Sequence, residues 1–330
     1  MNYKIKKGNG ILKNIREILR EYDVYIDDTI VFYGHNISRE IFHRYFKGFK
    51  GLEITGGNIQ EKDSIKSFMN GFGFIIGVGG GRILDTVKLA AGELGKIFIS
   101  IPSTLSNDGI FSPVSVLFDG KEVKSIITEP PDMIIIDFEI VMNSPLELLL
   151  SGIGDLVSNI SALKDWELSE KNGKSLINRD AYNISLEGAK KILFTNKEPF
   201  SLEFIQDLAT GLIDSGIAMR ITRNSKPASG AEHLISHALD IILKEPKRHG
   251  IQCGFATIFT LNLHNDLKDL KEILNLYEKV NFPKKFIDMG LTPDDFLRAV
   301  SIAPETRKGR YTILDETEEK EWIKKITIYF

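Results

Sequence analysis

From the amino terminus to about residue 140, short apolar runs rich in Val, Ile and Phe alternate with amphipathic stretches. Ile30 to Tyr33, Phe72 to Ile76 and Ile97 to Ile101 have the length and β-branched character of buried strands. Ser38 to Phe49 and Ile83 to Leu94 carry helical spacing between them. Strand then helix, repeated, predicts parallel βαβ units. After Pro113 two alternating runs are joined by Asp119-Gly120, which predicts a β-hairpin. From Pro145 onward helical periodicity dominates, over Leu146 to Ile153, Leu156 to Leu168, Ser201 to Ile221 and Ala231 to Leu243. The pattern therefore predicts an α/β parallel-sheet domain over residues 1–142 and an all-helical domain over 143–330. No internal repeat, low-complexity tract or long linker separates them, so a close interface between the halves is expected.

Length supports the division, because 330 residues are long for one core and two domains leave a cleft. With 42% hydrophobic and 26% charged residues the chain is an ordinary globular one. A formal net charge of -3 gives no long-range attraction for a polyanion, which argues against nucleic acid and for a small-molecule substrate. The first residues lack the apolar core of a signal peptide. No apolar run is expected to reach the roughly 20 residues that cross a bilayer. A cytoplasmic protein without a membrane span is the expectation, and a homo-oligomer is left open. The single cysteine, Cys253, excludes an intrachain disulfide and a Cys-rich metal site, fits a reducing compartment, and reads as a small buried apolar residue.

Three constellations carry chemistry. In Gly77-Val-Gly79-Gly80-Gly81-Arg82-Ile-Leu-Asp85 a strand runs into a glycine cluster and then a helix, so bare backbone N–H groups and the positive helix end can meet a diphosphate. Arg82 departs from the G-x-G-x-x-G fingerprint. A tight strand-to-helix turn that binds nothing is the competing reading, and Asp85 equally suits the helix dipole. The second constellation is the loop Ser103-Thr104-Leu-Ser106-Asn107-Asp108-Gly109-Ile-Phe-Ser112-Pro113, which follows a strand at the carboxyl edge of the sheet, where doubly wound folds bind ligands. Its residues are also those of any turn.

The third is the most specific. His occurs only 6 times, yet His233, His237 and His249 crowd one region. Ser229-Gly-Ala-Glu232 reads as a capping box that starts a helix, which puts His233 and His237 on one face. Imidazoles suit Zn²⁺ or Fe²⁺, and a carboxylate from elsewhere completes three protein ligands with a fourth position open. Asp155 is the candidate, since Gly152-Ile-Gly154 before it reads as the lead-in to a helix start. Singly, each residue is equally well a cap or a hydrogen-bonded core histidine.

Taken in order, Gly77-Val-Gly-Gly-Gly, Pro102-Ser-Thr-Leu-Ser-Asn-Asp-Gly-Ile-Phe-Ser-Pro113, Gly152-Ile-Gly-Asp155 with Lys164-Asp-Trp-Glu-Leu168, Ala228-Ser-Gly-Ala-Glu-His233-Leu-Ile-Ser-His237-Ala-Leu-Asp240 and His249-Gly250 resemble the glycerol-1-phosphate dehydrogenases. These sit in the superfamily of iron-containing alcohol dehydrogenases, glycerol dehydrogenase and dehydroquinate synthase. The matching segments run from about residue 75 to Arg310-Tyr-Thr-Ile-Leu314. The resemblance implies a dehydroquinate synthase-like fold with a Rossmann-like first domain. It also implies reversible reduction of dihydroxyacetone phosphate by NADH or NADPH to sn-glycerol 1-phosphate, with Zn²⁺ or alternatively Fe²⁺. It makes Asp155, His233 and His249 the metal ligands and turns His237 and Asp108 to the substrate. Gly79, Gly80, Gly81, Ser103, Ser106 and Ser112 fall to the dinucleotide, and Asp85, in the first turn of the helix after the glycine cluster, is a further candidate for it apart from the resemblance. Asn107 stands where close relatives of that enzyme are expected to carry His, which bears on the identity of the substrate.

The chemistry agrees with these residues. A metal acts as a Lewis acid while the nicotinamide delivers hydride, and His237, one turn from His233, supplies a proton directly or through water. The alternatives are a glycerol or other polyol dehydrogenase, a sugar-phosphate cyclase of the dehydroquinate synthase type, and a silent dinucleotide-binding protein. A phosphorylated triose finds candidate cations in Lys164, Arg248, Arg307 and Arg310. The run Leu52-Glu-Ile-Thr55-Gly-Gly-Asn58 ends in neither a clear carboxylate nor an Arg, so NAD and NADP stay equally open.

Overall fold

The computed structural model describes residues 3–121 and 123–329. The chain divides into two compact units, Met1–Pro145 and Leu146–Phe330.

In the first unit six parallel strands form one sheet in the order β1-β8-β5-β4-β2-β3. They are β1 (Lys4–Gly8), β2 (Thr29–Tyr33), β3 (Lys50–Glu53), β4 (Phe74–Gly79), β5 (Ile97–Pro102) and β8 (Met133–Asp137). Every residue of β2 and β8 is buried, as expected of strands covered on both faces. Helices α1 (Ile15–Arg20), α2 (Ile37–Tyr45), α3 (Ile59–Met69) and α4 (Gly81–Glu93) connect successive strands, and α5 (Phe138–Val141) follows the last. Leu12, Ile15, Leu19 and Ile41 close one face over Val31, Ile76, Ile99 and Ile135. The expected hairpin is β6 (Val114–Phe118) with β7 (Val123–Ile127), antiparallel and separate from the main sheet. Strand order reverses between β2 and β4, so the carboxyl end of β4 lies at the switch point where such sheets bind ligands.

Among its described residues the second unit has only helical elements: α6 (Leu146–Lys171), α7 (Arg179–Leu193), α8 (Leu202–Thr222), α9 (Ala231–Ile242), α10 (His249–Leu263), α11 (Leu267–Val280), α12 (Phe286–Met289), α13 (Pro293–Thr306) and α14 (Glu319–Tyr329). Two expectations need correction. Leu146 to Leu168 is one continuous helix, so Asp155 sits in its middle and not at a helix start. That helix is also long and apolar enough to cross a bilayer, which the sequence pattern did not suggest. Since 83% of its most apolar window is buried inside the fold, it has the character of a core helix.

Glycines explain both its apolarity and its position. A Cβ on Gly154 would lie 2.2 Å from the Gly250 carbonyl oxygen, and one on Gly250 would lie 1.9 Å from the Ser151 carbonyl oxygen. The α6 and α10 backbones therefore touch, at a separation only glycine allows.

Candidate active site

In the second unit, three helices deliver four donors to one place. Asp155 comes from α6, His233 from α9, and His249 and Cys253 from successive turns of α10. One ligand atom from each lies within 4.8 Å of all the others. His233 Nε2 and His249 Nε2 stand 3.7 and 3.8 Å from the same Asp155 oxygen, Oδ1. With metal–ligand bonds of 2.0–2.2 Å, tetrahedral donors stand about 3.4 Å apart, so the cluster is close to the spacing that a cation needs.

The far sides of both rings are held. Glu232 Oε1 lies 2.9 Å from His233 Nδ1, and Ser236 Oγ lies 3.0 Å from His249 Nδ1. With Nδ1 engaged in each ring, both Nε2 atoms turn toward Asp155, the arrangement by which outer partners set the tautomer and orientation of ligating histidines. Ser236 is itself fixed by donating to Gln252 Oε1 at 2.7 Å. The donor set of one carboxylate and two imidazoles, backed this way, fits Zn²⁺ or Fe²⁺.

The start of α9 differs from the expected capping box. Its N-cap is Gly230 and no side chain caps it from that position. Glu232 Oε1 instead accepts from Gly230 N at 2.6 Å while holding His233, and Asp165 Oδ2 of α6 accepts from Ala231 N at 2.6 Å. Asp165 also takes the Ile313 N–H at 2.7 Å and meets His264 Nε2 at 2.9 Å.

His237 stacks on His249 with ring centroids 5.6 Å apart and planes at 22°. Burial, the neighbouring His233 and the Arg307 charge push its imidazole down to about 4, so it is neutral near pH 7. Cys253 is fully buried, with Sγ 3.5 Å from His249 Nε2. Burial pushes its thiol up to about 11. The sequence reading took Cys253 as plain core and Glu232 as a cap. The signal for Cys253 was its spacing of four from His249, the same as His233 to His237.

In the first unit, β4 ends at Gly79 and α4 begins at Gly81 with Gly80 as N-cap. A Cβ on Gly79 would meet Ile83 at 2.8 Å, and one on Gly80 or Gly81 would lie 3.5 Å from Thr104 or Asn107. The 103–113 loop thus packs beside the glycine turn. Ser103 N donates to Gly79 O at 2.9 Å, while the Thr104 hydroxyl is buried with no hydrogen-bond partner. A helix start of bare N–H groups beside an unpaired hydroxyl fits a dinucleotide phosphate. Asn107 Oδ1 accepts from Gly109 N at 3.0 Å and caps the 3-10 turn Asp108–Ile110. Ser106 precedes that turn, and Ser112 Oγ donates to Val114 O at 3.2 Å.

Asp85 is placed differently from the expectation. Its Oδ1 lies 3.0 Å from buried Lys88 Nζ and its Oδ2 accepts from Val116 N at 3.2 Å. The carboxylate lies beneath the hairpin with its charge paired to Lys88, while Oδ1 is buried with no hydrogen-bond partner. Two of the candidate cations are committed elsewhere as well. Lys164 Nζ pairs with Asp266 at 2.9 Å, and Arg248 lies 3.9 Å from Glu147 at the surface.

A family model described as iron-containing alcohol dehydrogenase matches residues 6–145. The glycerol-1-phosphate dehydrogenase, NAD(P)+, of Pyrococcus horikoshii is 36% identical over 317 residues, which cover 94% of this chain and 90% of that protein. The chain belongs to the iron-containing alcohol dehydrogenase family. The enzyme of the same name from Methanothermobacter thermautotrophicus is 37% identical over 291 residues, covering 85% of this chain and 83% of its own. In fold, this family member is similar to a probable glycerol dehydrogenase from Sinorhizobium meliloti, with TM-score 0.76 at 19% identity, covering 98% and 95% of the two chains. A 1,3-propanediol oxidoreductase gives TM-score 0.77 at 13% identity over 99% and 98%. Both likenesses speak for the fold alone.

Proposed function

We propose that this protein catalyses the reversible, NAD(P)H-linked reduction of dihydroxyacetone phosphate to sn-glycerol 1-phosphate with a divalent cation held by Asp155, His233 and His249. The observation that carries the metal is the pair of Nε2 atoms converging on Asp155 Oδ1 at 3.7 and 3.8 Å while Glu232 and Ser236 hold the opposite nitrogens. The relatives named above, at about one-third identity over most of their length, support the substrate and the nicotinamide cofactor.

Such a cation supplies Lewis acidity, stabilising the negative charge that develops on the carbonyl oxygen as hydride arrives at carbon. The chain's own residues supply the rest. Gly79, Gly80, Gly81, Ser103, Ser106 and Ser112 are assigned to the dinucleotide, while Asp85 is left out because its charge is paired with Lys88 and its Oδ2 holds the hairpin. His237 is assigned the proton. Being neutral, it acts as a relay, one ring nitrogen giving a proton as the other takes one. Asp108 keeps its substrate role from the family resemblance alone. Zn²⁺ is favoured over Fe²⁺ by the neighbouring Cys253 sulfur, a soft donor.

Oxidation of NADH and of NADPH should be followed with dihydroxyacetone phosphate and with dihydroxyacetone, and oxidation of glycerol with NAD+, each before and after EDTA and after added Zn²⁺. The proposal expects phosphate-dependent turnover that EDTA removes and Zn²⁺ restores. Preference for glycerol would replace it with a polyol dehydrogenase, and full activity in metal-free protein would end the metal assignment.

A further inference from the structure

We propose that Lys226, Arg307 and Arg310 form an anion subsite that holds the phosphate of the substrate, an inference that rests on the phosphorylated-triose reading above. Arg307 Nη1 and Arg310 Nη2 both donate to one oxygen, Ser225 Oγ, at 2.8 Å each. Two guanidinium groups bonded to a single hydroxyl stand within a few ångströms of each other and repel. A hydroxyl carries no charge to offset them. Among the described residues neither arginine, nor the ammonium of Lys226 next to Ser225, has a carboxylate within 4.0 Å.

Several lysines elsewhere in the molecule are matched in charge. Lys62, Lys66, Lys191 and Lys197 each pair with an acidic side chain, as does Lys164. Water alone would screen many of those charges. Lys226, Arg307 and Arg310 are only partly exposed, so their charges are screened less than those of surface lysines. Burial and Arg307 push Arg310 down to about 10, and burial and Arg310 lower Lys226. Glu232 and Asp165 act on Arg310 from beyond ion-pair distance, and three cations with no carboxylate in contact suit a dianion. Arginine's planar fork matches phosphate oxygens two at a time, and Arg307 spends only one of its five N–H groups on Ser225.

The cluster also stands where a triose would need it. Arg310 Nη1 donates to the Ser229 carbonyl at 2.6 Å, immediately before α9, and Thr306 at the end of α13 donates to the Leu234 carbonyl at 3.4 Å. The Arg307 charge acts on His237, whose ring lies against His249. Phosphate in this cluster puts the carbonyl end of a three-carbon substrate toward the donor group of Asp155, His233 and His249. Arg307 and Arg310 are among the candidate cations of the sequence, and Lys226 joins them through its place beside Arg310.

The test uses the full-length protein and the Arg307→Met, Arg307→Lys and Lys226→Met variants, read by calorimetric titration with inorganic phosphate and by steady-state kinetics. Wild type should bind inorganic phosphate, which should compete with dihydroxyacetone phosphate and not with NADH. Each Met variant should weaken phosphate binding and lower the preference for dihydroxyacetone phosphate over dihydroxyacetone by at least about tenfold, with Arg307→Lys recovering part of the loss. Competition with NADH would move the anion to the dinucleotide. Equal losses on both substrates would make the residues structural, and unchanged phosphate binding in both Met variants would overturn the subsite. Phosphate bound here by a protein that does not reduce dihydroxyacetone phosphate would leave the subsite standing and remove the reaction assigned above.

Discussion

Glu232 and His233 are consecutive on α9, yet their side chains meet, Oε1 to Nδ1 at 2.9 Å. Consecutive helical residues normally point apart. Here the contact forms because Glu232 is folded back onto its own helix start, where Oε1 also takes the Gly230 N–H. A buried carboxylate next to the imidazole keeps the proton on Nδ1 and leaves Nε2 for a cation.

Glu232→Gln keeps the shape and one acceptor oxygen while removing that charge. Metal affinity, measured by competition with a chromophoric chelator, should fall about 10- to 100-fold. Dinucleotide binding, assigned above to the glycine turn of the other unit, should stay. An unchanged affinity would mean that Glu232 serves only the helix start.

Gly250→Ala tests how the donors are brought together. The added Cβ would sit 1.9 Å from the Ser151 carbonyl oxygen, and neither backbone can yield without separating α6 from α10. Overpacking of this kind costs about 1–3 kcal/mol or more. Asp155 rides on α6 and His249 on α10, so metal affinity should fall together with the denaturation midpoint. A loss of stability with undiminished metal binding would show that the two helices need not touch for the donors to converge.

The same contact marks how far the sequence could be read. β2, β4 and β5 were legible because they are apolar at nearly every position. β1, with the sequence Lys4-Ile-Lys-Lys-Gly8, is an edge strand whose lysines reach solvent, so no hydrophobic pattern announces it. Met133 to Asp137 carries the signal of its neighbours, but no helix separates it from the hairpin and a search for alternation passes over it. Gly152-Ile-Gly154 reads locally as a helix break, and Gly154 is instead the place where α10 approaches, a tertiary fact that overrides propensity. Of the donor group, the histidines stood out by crowding. Cys253 carries only its spacing of four from His249, which any core position on the same helix face shares.

Asp165 is expected to be structural. It joins α6 to His264, to the first turn of α9 through Ala231 N, and to the Ile313 N–H. Asp165→Asn weakens all three bonds and removes the charge paired with His264. Bonds to a buried charged group contribute about 1.5–3 kcal/mol each, so the denaturation midpoint should drop clearly. Wild-type stability would show that the network is redundant.

Lys88 provides a test for the first unit. Its ammonium is 1% exposed and reaches the carbonyls of Val114 at 2.6 Å, Ser112 at 3.0 Å and Gly109 at 3.3 Å as well as Asp85 at 3.0 Å. It therefore fastens the 103–113 loop and the start of the hairpin to α4. Lys88→Met fills similar volume but leaves Asp85 as an unpaired buried charge, a change that costs about 3–5 kcal/mol in comparable pairs. The double variant Lys88→Met with Asp85→Leu removes both charges and should recover much of that loss, because replacing a buried pair with apolar groups is often near neutral. If Asp85 contacted the dinucleotide, the double variant would regain stability but not affinity for NADH. Since the carboxylate is paired with Lys88 and bonded to Val116 N beneath the hairpin, affinity should track stability across the two variants, as read by fluorescence titration with NADH beside thermal melts. An Asp85→Asn variant of full stability that had lost NADH binding would return the residue to the cofactor site.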